Sequence, residues 1–576
     1  MKKKLLALTL ALVMVAALLA GCGDANNSSN TGNTGATDPG TSNAGGNSGN
    51  SQGGAPALPG NADLVSGEQE NTDYVRPSLA FDAGMSIMLN PAGHRDHGPV
   101  AYSIYEMLFA VENGVGSDLV PWLADANRGG NNAWGVKGMD HEDGSTEYLF
   151  YIYDYITDSA GNKITADDVV FSFERAASSG QATGWGDIVG WEAVDGTTVK
   201  MTTKRDLTQK GELENIILRC MIYSEKAFND SPSGFTADAC GTGRYVIADY
   251  AADAYVVCKA RDDYWQTNEE LIPRIAQANV AEFTAMVVSD DNSRIVSLQS
   301  GDLDMLSQIS TSSAGTFLND SKYEIYSYMQ NGVHFLEANC SEESIMSDLN
   351  MRLAVFYAIN NTGLASILNA TGVEAYQPLY AFGFDMFSDY LTKWDSEDNY
   401  VTQQNLELSK QYAEAAGYKG ETLYFLNASD TTGIVENVMN MLLNAGFNVE
   451  LKSYDRNTTT TVQDDPTQWD IFYSNTNSSD FTTSLWSHVM DPNMKGGRTE
   501  NYIVDQDYFD LLSTALVVGS SDDDLDAFWQ YTVENGYICP LVHGINSMIL
   551  PAGQITSIYQ NDKNHFIPGA AYYVEG

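Results

Sequence analysis

His94 and His97 stand three residues apart in Asn90-Pro91-Ala92-Gly93-His94-Arg95-Asp96-His97, and two imidazoles at that spacing can share a metal ion when they lie on one helical turn. Pro91 and Gly93 just before them favour a loop instead, so no metal site is assigned. Arg95 between them is a cation suited to a ligand carboxylate, or to an ion pair at the surface or between lobes. The body of the chain contains no His-Glu-x-x-His, no Gly-x-Ser-x-Gly, no Walker loop and no Gly-x-Gly-x-x-Gly. Acidic pairs such as Asp262-Asp263 recur, but 76 Asp and Glu residues supply them by number alone. These residue types point to binding without turnover and to no cofactor, with a secreted hydrolase as the weaker alternative.

Cys22 has a chemistry of its own. Lys2, Lys3 and Lys4 precede an apolar run from Leu5 to Ala20, and the junction reads Leu19-Ala20-Gly21-Cys22. A basic start, a short apolar segment and small residues at the join make a secretory signal. With Cys22 next, the segment resembles a bacterial lipoprotein signal, which implies cleavage before Cys22 and lipid on its sulfur. The apolar run is shorter than the roughly 20 residues a membrane span needs. From Ala25 to Gly60, 25 of 36 residues are Gly, Asn, Ser or Thr, so that stretch is expected to be a disordered tether. The remaining cysteines, Cys220, Cys240, Cys258, Cys340 and Cys539, are odd in number. One bridge, such as Cys240–Cys258, and buried free thiols both remain open readings. A formal charge of −46 repels nucleic acid and excludes a phosphate-backbone binder.

The elements that must position a site alternate between strand and helix. Leu149 to Ile156 and Val194 to Met201 read as strands, and Tyr245–Tyr250 with Tyr255–Ala260 as a hairpin. Thr165 is placed to cap a helix through Arg175, with Asp167 and Asp168 in the first turn where the helix dipole favours carboxylates. Further helices are predicted at Asp291–Leu298, capped by Ser289 or Asp290, and at Leu349–Ala358, Leu406–Ala416 and Gly433–Leu443. Phe447–Leu451 follows as a strand. The pattern is that of a mixed α/β body without a repeat.

Six segments in order then resemble the bacterial extracellular solute-binding proteins of the peptide/nickel type that serve ABC importers. Ile164-Thr-Ala-Asp-Asp-Val-Val-Phe-Ser-Phe-Glu-Arg175 is similar to that family's "LTAEDVVFSLER". Gly241-Thr-Gly-Arg-Tyr245 with Arg261-Asp-Asp-Tyr-Trp265 is similar to "GTGPY … RNDDYW". Segments from Arg294 to Asp304, from Arg352 to Asn360, from Leu408 to Tyr418, and at Trp469-Asp470 with Cys539-Pro540-Leu541 follow at family spacing. The least similar stretches are Asn457–Ser479 and the segment after Ser513.

The resemblance implies a two-lobed periplasmic-binding-protein-like clamshell. Residues 1–21 would be the signal peptide and 22–72 the anchored linker. Residues 73–315 would form the first lobe, with a subdomain at about 103–189; 316–519 would form the second lobe, and 520–576 the return to the first. It implies capture of a peptide or other small solute, delivery to ABC transporter permease subunits, a monomer, and attachment to the outer face of the cell membrane through Cys22. An oligosaccharide, a nickel chelate or a sensing role are alternatives on the same fold. In peptide-binding members a carboxylate shortly after the strand at Asp470 pairs with the ligand's ammonium, which falls here on Asp480. Taken alone, Asp480 serves equally as an exposed loop residue or a helix cap. Asn475, Asn477 and their polar neighbours would hydrogen-bond the ligand, and Trp486 is either a cleft aromatic or a core residue. His94 and Arg95 fall where the family's first cleft-facing loop lies and are further candidates for ligand contact. Gly241 and Gly243 are read as turn glycines, Tyr264 and Trp265 as packing, and Arg294 and Arg352 as buried or lobe-stabilising salt-bridge partners.

Overall fold

Apolar alternation and capping residues build the first part of the chain around a four-stranded sheet. Its strand order is Leu79–Asp82, Glu282–Met286, Tyr255–Ala260 and Tyr245–Ala251. The computed structural model describes residues 74–83, 87–91, 98–112, 119–125, 127–128, 136–179, 185–209, 211–369, 374–429, 433–477, 481–491, 502–561 and 564–575. Every described residue lies within Leu58–Gly576. Cys22, His94, Arg95 and Asp480 lie outside the described residues.

A second antiparallel sheet, Lys137–Asp140, Thr146–Tyr151, Thr198–Thr203 and Ile188–Asp195, is covered by helix Ala166–Ser178. Asp168 closes the first turn of that helix by accepting from the Thr165 N–H at 2.8 Å. Phe173 on its apolar face stacks on Trp191 at 3.9 Å. The strand expected at Leu149–Ile156 instead spans Thr146–Tyr151. Beyond it the chain leaves the sheet, and Tyr153 and Tyr155 pack on Trp265. The single strand expected at Val194–Met201 is broken because Asp195 accepts from the Thr197 N–H (2.8 Å), turning the chain before Thr198 starts a new strand.

Glu106, fully enclosed, gathers Trp122 Nε1 (2.8 Å), Tyr264 OH (2.5 Å) and Trp265 Nε1 (2.7 Å). Tyr264 and Trp265 therefore pack as expected. Gly241 is needed because a Cβ there would meet the Ile104 carbonyl oxygen at 2.2 Å. Arg294 pairs with Asp82 at 3.4 Å and Asp291 at 3.1 Å. Arg352 differs from the salt-bridge expectation: it donates to the carbonyl oxygens of Met346, Ser347 and Asn535 and lies over the Tyr537 ring. All five described cysteines are free thiols, so Cys240 and Cys258 are not bridged.

The second core is organised by five strands: β1 (Tyr323–Ala338), β2 (Thr422–Ala428), β3 (Asn448–Tyr454), β4 (Ile471–Asn477) and β5 (Ile538–Pro551). β2 and β3 are parallel and joined by helix Ile434–Ala445, and β4 lies parallel to β2 on its other side. β1 is antiparallel to both β4 and β5. Parallel neighbours require such crossovers, which is why strand and helix alternate here.

Two long strands pass between the cores. Tyr326 of β1 packs in the first core and Val333 in the second; on β5 the order is reversed, with Val542 in the second core and Met548 in the first. The β1–β5 register shifts between Met329 and Val333, where the strands leave one core for the other. Residues 520–541, expected with the first lobe, pack in the second core. Phe528 and Trp529 of helix Asp522–Glu534 bury themselves against Trp486, with Phe528 at 4.9 Å.

Candidate functional site

The register of β4 against β1 fixes which edge of the second core looks toward the first. Asn477, at the carboxyl end of β4, lies opposite Gly332, at the level where β1 crosses between cores. β2 and β3 run parallel to β4, so their carboxyl ends at Ala428 and Tyr454 share this edge. In α/β sheets ligands bind beyond the carboxyl ends of parallel strands, because helix N-termini and loops meet there.

A pocket of about 160 Å³ sits at this edge, lined by Ala428, Arg456, Thr459, Thr460, Gln463, Phe472, Tyr473, Ser474 and Asn475. Helix α1 (Arg456–Gln463) supplies four of these residues, and Asp455 caps it by accepting from the N–H groups of Asn457 and Thr458. Thr459 and Gln463, four apart on one helical face, are both buried. The Gln463 carbonyl oxygen accepts from Trp469 Nε1 (3.1 Å) and Tyr502 OH (2.9 Å), which fixes the last turn of α1. Its side-chain Nε2 is buried and has no acceptor among the described residues.

Just inside the edge, His334 sits opposite Asn475, and its Nδ1 is 2.7 Å from Tyr473 OH. Burial pushes its pKa down to about 4. His543, beside Val333 and against Phe384, is lowered to about 4 by burial first and by His334 second. Both imidazoles are therefore neutral near pH 7. Helix α2 (Thr482–Met490) begins nearby, and its first amides donate to the Asp389 carboxylate, Thr482 N at 2.6 Å and Thr483 N at 3.1 Å. That helix end is already matched with an anion from its own core.

The cores also touch away from the crossing strands. Gln209 of the first core forms a backbone bridge with Val517, and the Val518 N–H donates to the Thr208 carbonyl oxygen at 2.5 Å. The Gln209 side chain accepts from Ser487 Oγ at 3.2 Å and donates to Asp491 at 3.5 Å.

Among the residues expected to touch ligand, Asn475 lines the pocket and Asn477 ends β4 at the same edge. Trp486 lies in the core instead: it is fully buried, donates its indole N–H to the Phe382 carbonyl oxygen at 2.9 Å, and packs on Trp394 at 5.8 Å. Arg456, Thr459 and Gln463 were not foreseen. Their signal was a polar i, i+4 pair on a helix directly following a strand of a parallel sheet, inside the least family-like stretch of the chain. Among the described residues no group of three or more His, Cys, Asp or Glu side chains is placed to hold a metal ion. Among them, too, no helix is long and apolar enough to cross a membrane.

No curated protein sequence matches the chain. Solved structures do share its fold. HbpA2 from Haemophilus parasuis superposes with a TM-score of 0.70 at 17% identity, covering 86% of this chain and 100% of that one. The oligopeptide-binding protein AppA from Bacillus subtilis, in complex with a nonapeptide, gives 0.62 at 15% identity, covering 88% and 100%. NikZ from Campylobacter jejuni, in complex with Ni(L-His), gives 0.60 at 16% identity, covering 85% and 97%. The fold is thus the α/β, two-lobed periplasmic-binding-protein architecture that the motif order implied. Residues 118–495 match the model for bacterial extracellular solute-binding proteins, family 5, middle region. That match spans more than half of the chain, which belongs to the bacterial extracellular solute-binding proteins of family 5.

Proposed function

We propose that this protein is the substrate-binding component of an ABC importer, capturing a peptide-like solute between its two cores and passing it to permease subunits without chemical change. The observation that carries this reading is the carboxyl-terminal edge of β2, β3 and β4, which opens a polar pocket at the level where β1 and β5 cross between the cores. A solute touching both cores binds the closed arrangement better and enriches it. AppA, similar in fold, is an oligopeptide-binding protein, which favours peptide over the other solute classes. On this reading the first lobe runs to about Tyr326 and resumes near Met548, and residues 333–542 form the second lobe. Asp480, three residues past Asn477, would meet the peptide ammonium in a charge-assisted hydrogen bond. The protein acts as a monomer, exported and held to the outer face of the cell membrane by lipid on Cys22.

A thermal-shift screen of the purified protein against peptides, oligosaccharides and nickel chelates tests the reading. A peptide at 100 times its dissociation constant should add about 2.7 kcal/mol of stability. Stabilisation by an oligosaccharide or a chelate alone would replace peptide as the ligand class.

A further inference from the structure

We infer that a cavity at the far end of the second core binds an aliphatic polyamine, its ammonium groups met by Glu397, Asp398 and Glu534 and its chain lying on Tyr357 and Tyr412. The cavity measures about 490 Å³ and lies between helices Leu349–Tyr357, Leu406–Ala415 and Asp522–Glu534 and the loop 397–400. All of these segments are among the described residues. The cavity is separate from the β4 edge. Tyr400 donates its hydroxyl to the Ile538 carbonyl oxygen at 2.7 Å, at the start of β5, where Ile538 pairs with Glu337 near the end of β1. From Ile538 to Val542, level with the crossing, is roughly 13 Å of strand. The inference therefore does not depend on the peptide reading.

The lining carries these three carboxylates and, among the described residues, no lysine, arginine or histidine. Glu397 Oε2 is shut off from solvent yet accepts no hydrogen bond among the described residues. A shielded anionic oxygen without a donor is costly, and it is kept where something else supplies the donor. Lys393, the cation that Glu397 acts on, is already bound to Asp526 at 2.8 Å. Asp398 accepts from the Gln403 amide, a neutral donor that leaves its charge unbalanced. The rest of the wall is largely aromatic. The Tyr357 and Tyr412 rings stack at 5.8 Å and 12°, and Tyr400 meets Tyr357 edge-on at 5.9 Å. Burial, then Tyr412, then Asp398 push the Tyr357 phenol above its ordinary pKa, which sets Asp398 close to that ring. Ring faces attract organic cations, and Leu353 and Val533 offer apolar contact to the methylenes between charges. A metal ion matches this lining less well, because among the described residues no three carboxylates gather to hold one. At about 30 Å³ per water, the cavity has room for roughly sixteen waters, which suits a chain of spaced ammonium groups.

Calorimetric titration of the full-length protein with spermidine tests the site. Mg²⁺ at matched ionic strength controls for diffuse attraction to a chain of charge −46. Spermidine should saturate one site per chain and bind at least about tenfold more tightly than Mg²⁺. Glu397→Gln should weaken spermidine at least about tenfold and Tyr412→Leu at least about threefold. Asp262→Asn, the same loss of charge at an exposed position in the first core, should leave it within about twofold. Should Glu397→Gln lower the melting temperature, Glu534→Gln at the exposed end of its helix takes its place. Peptide affinity should be the same in all of these variants, so failure of the polyamine site and failure of peptide capture are read separately. Spermidine binding no tighter than Mg²⁺, or without saturation, overturns the site. Equal weakening by Asp262→Asn and Glu397→Gln shows diffuse charge and overturns it, as does a Tyr412→Leu protein that binds spermidine like the unaltered one.

Discussion

Replacing Gln209 with alanine should loosen the closed arrangement without touching either core. Gln209 reaches from the first core to Ser487 and Asp491 of the second, at 3.2 and 3.5 Å, and these bonds exist only while the cores are close. The longer one sits at the limit of useful geometry, even though its acceptor is a carboxylate. At about 1 kcal/mol net for an ordinary bond, the pair contributes roughly 1–2 kcal/mol to closure. Losing it should lower the closed-to-open ratio about five- to thirtyfold. The backbone pair between Thr208 and Val518 remains, so closure is weakened and not abolished. If the free protein is mostly open, the solute dissociation constant rises by the same factor, since solute must then supply that free energy. Titration calorimetry with the best peptide from the thermal screen reads this directly, with the melting temperature of the free protein as the control for folding. An affinity within twofold of the unaltered protein would show that the Gln209 contacts contribute nothing to closure.

Trp486→Ala should behave as a core truncation, lowering unfolding free energy by about 3–5 kcal/mol. The loss is read by urea unfolding, and a variant of unchanged stability with weakened binding would return Trp486 to the cleft. The buried histidines predict an acid limb. Because burial depresses the folded pKa of His543 to about 4, its neutral form is part of the native state. The unfolded chain takes up that proton near pH 6.5, so stability present above that pH is lost as pH falls toward 4. His543→Leu should remove about one proton from the uptake on unfolding across this window, measured from urea midpoints between pH 7 and 4. An unchanged slope would mean that His543 is protonated in the folded protein.

Much of the fold was legible because its signals are local. The Thr165–Asp168 turn, the Asp290 cap and the hairpin from Tyr245 to Ala260 follow from residues within a few positions of each other. Strand ends were less legible, since a turn held by Asp195 and the departure of Tyr153 and Tyr155 toward Trp265 depend on partners distant in sequence or on one side-chain bond. The same holds for helix Asp522–Glu534: its neighbours Trp394 and Trp486 decide which core it joins. At the site, polarity drew attention to Asn475 but not to Gln463, because a glutamine late in a polar helix reads as solvent-facing. Only the closing of β2, β3 and β4 into one parallel set turns that helical face inward.

On the reading proposed above, the two cores joined by β1 and β5 close on a solute at the β4 edge. Small-angle scattering with and without a saturating stabilising peptide measures this most directly. Closure should give a smaller radius of gyration and a shorter maximum dimension in the bound sample. Superimposable curves, with binding established by calorimetry in the same solution, would contradict it.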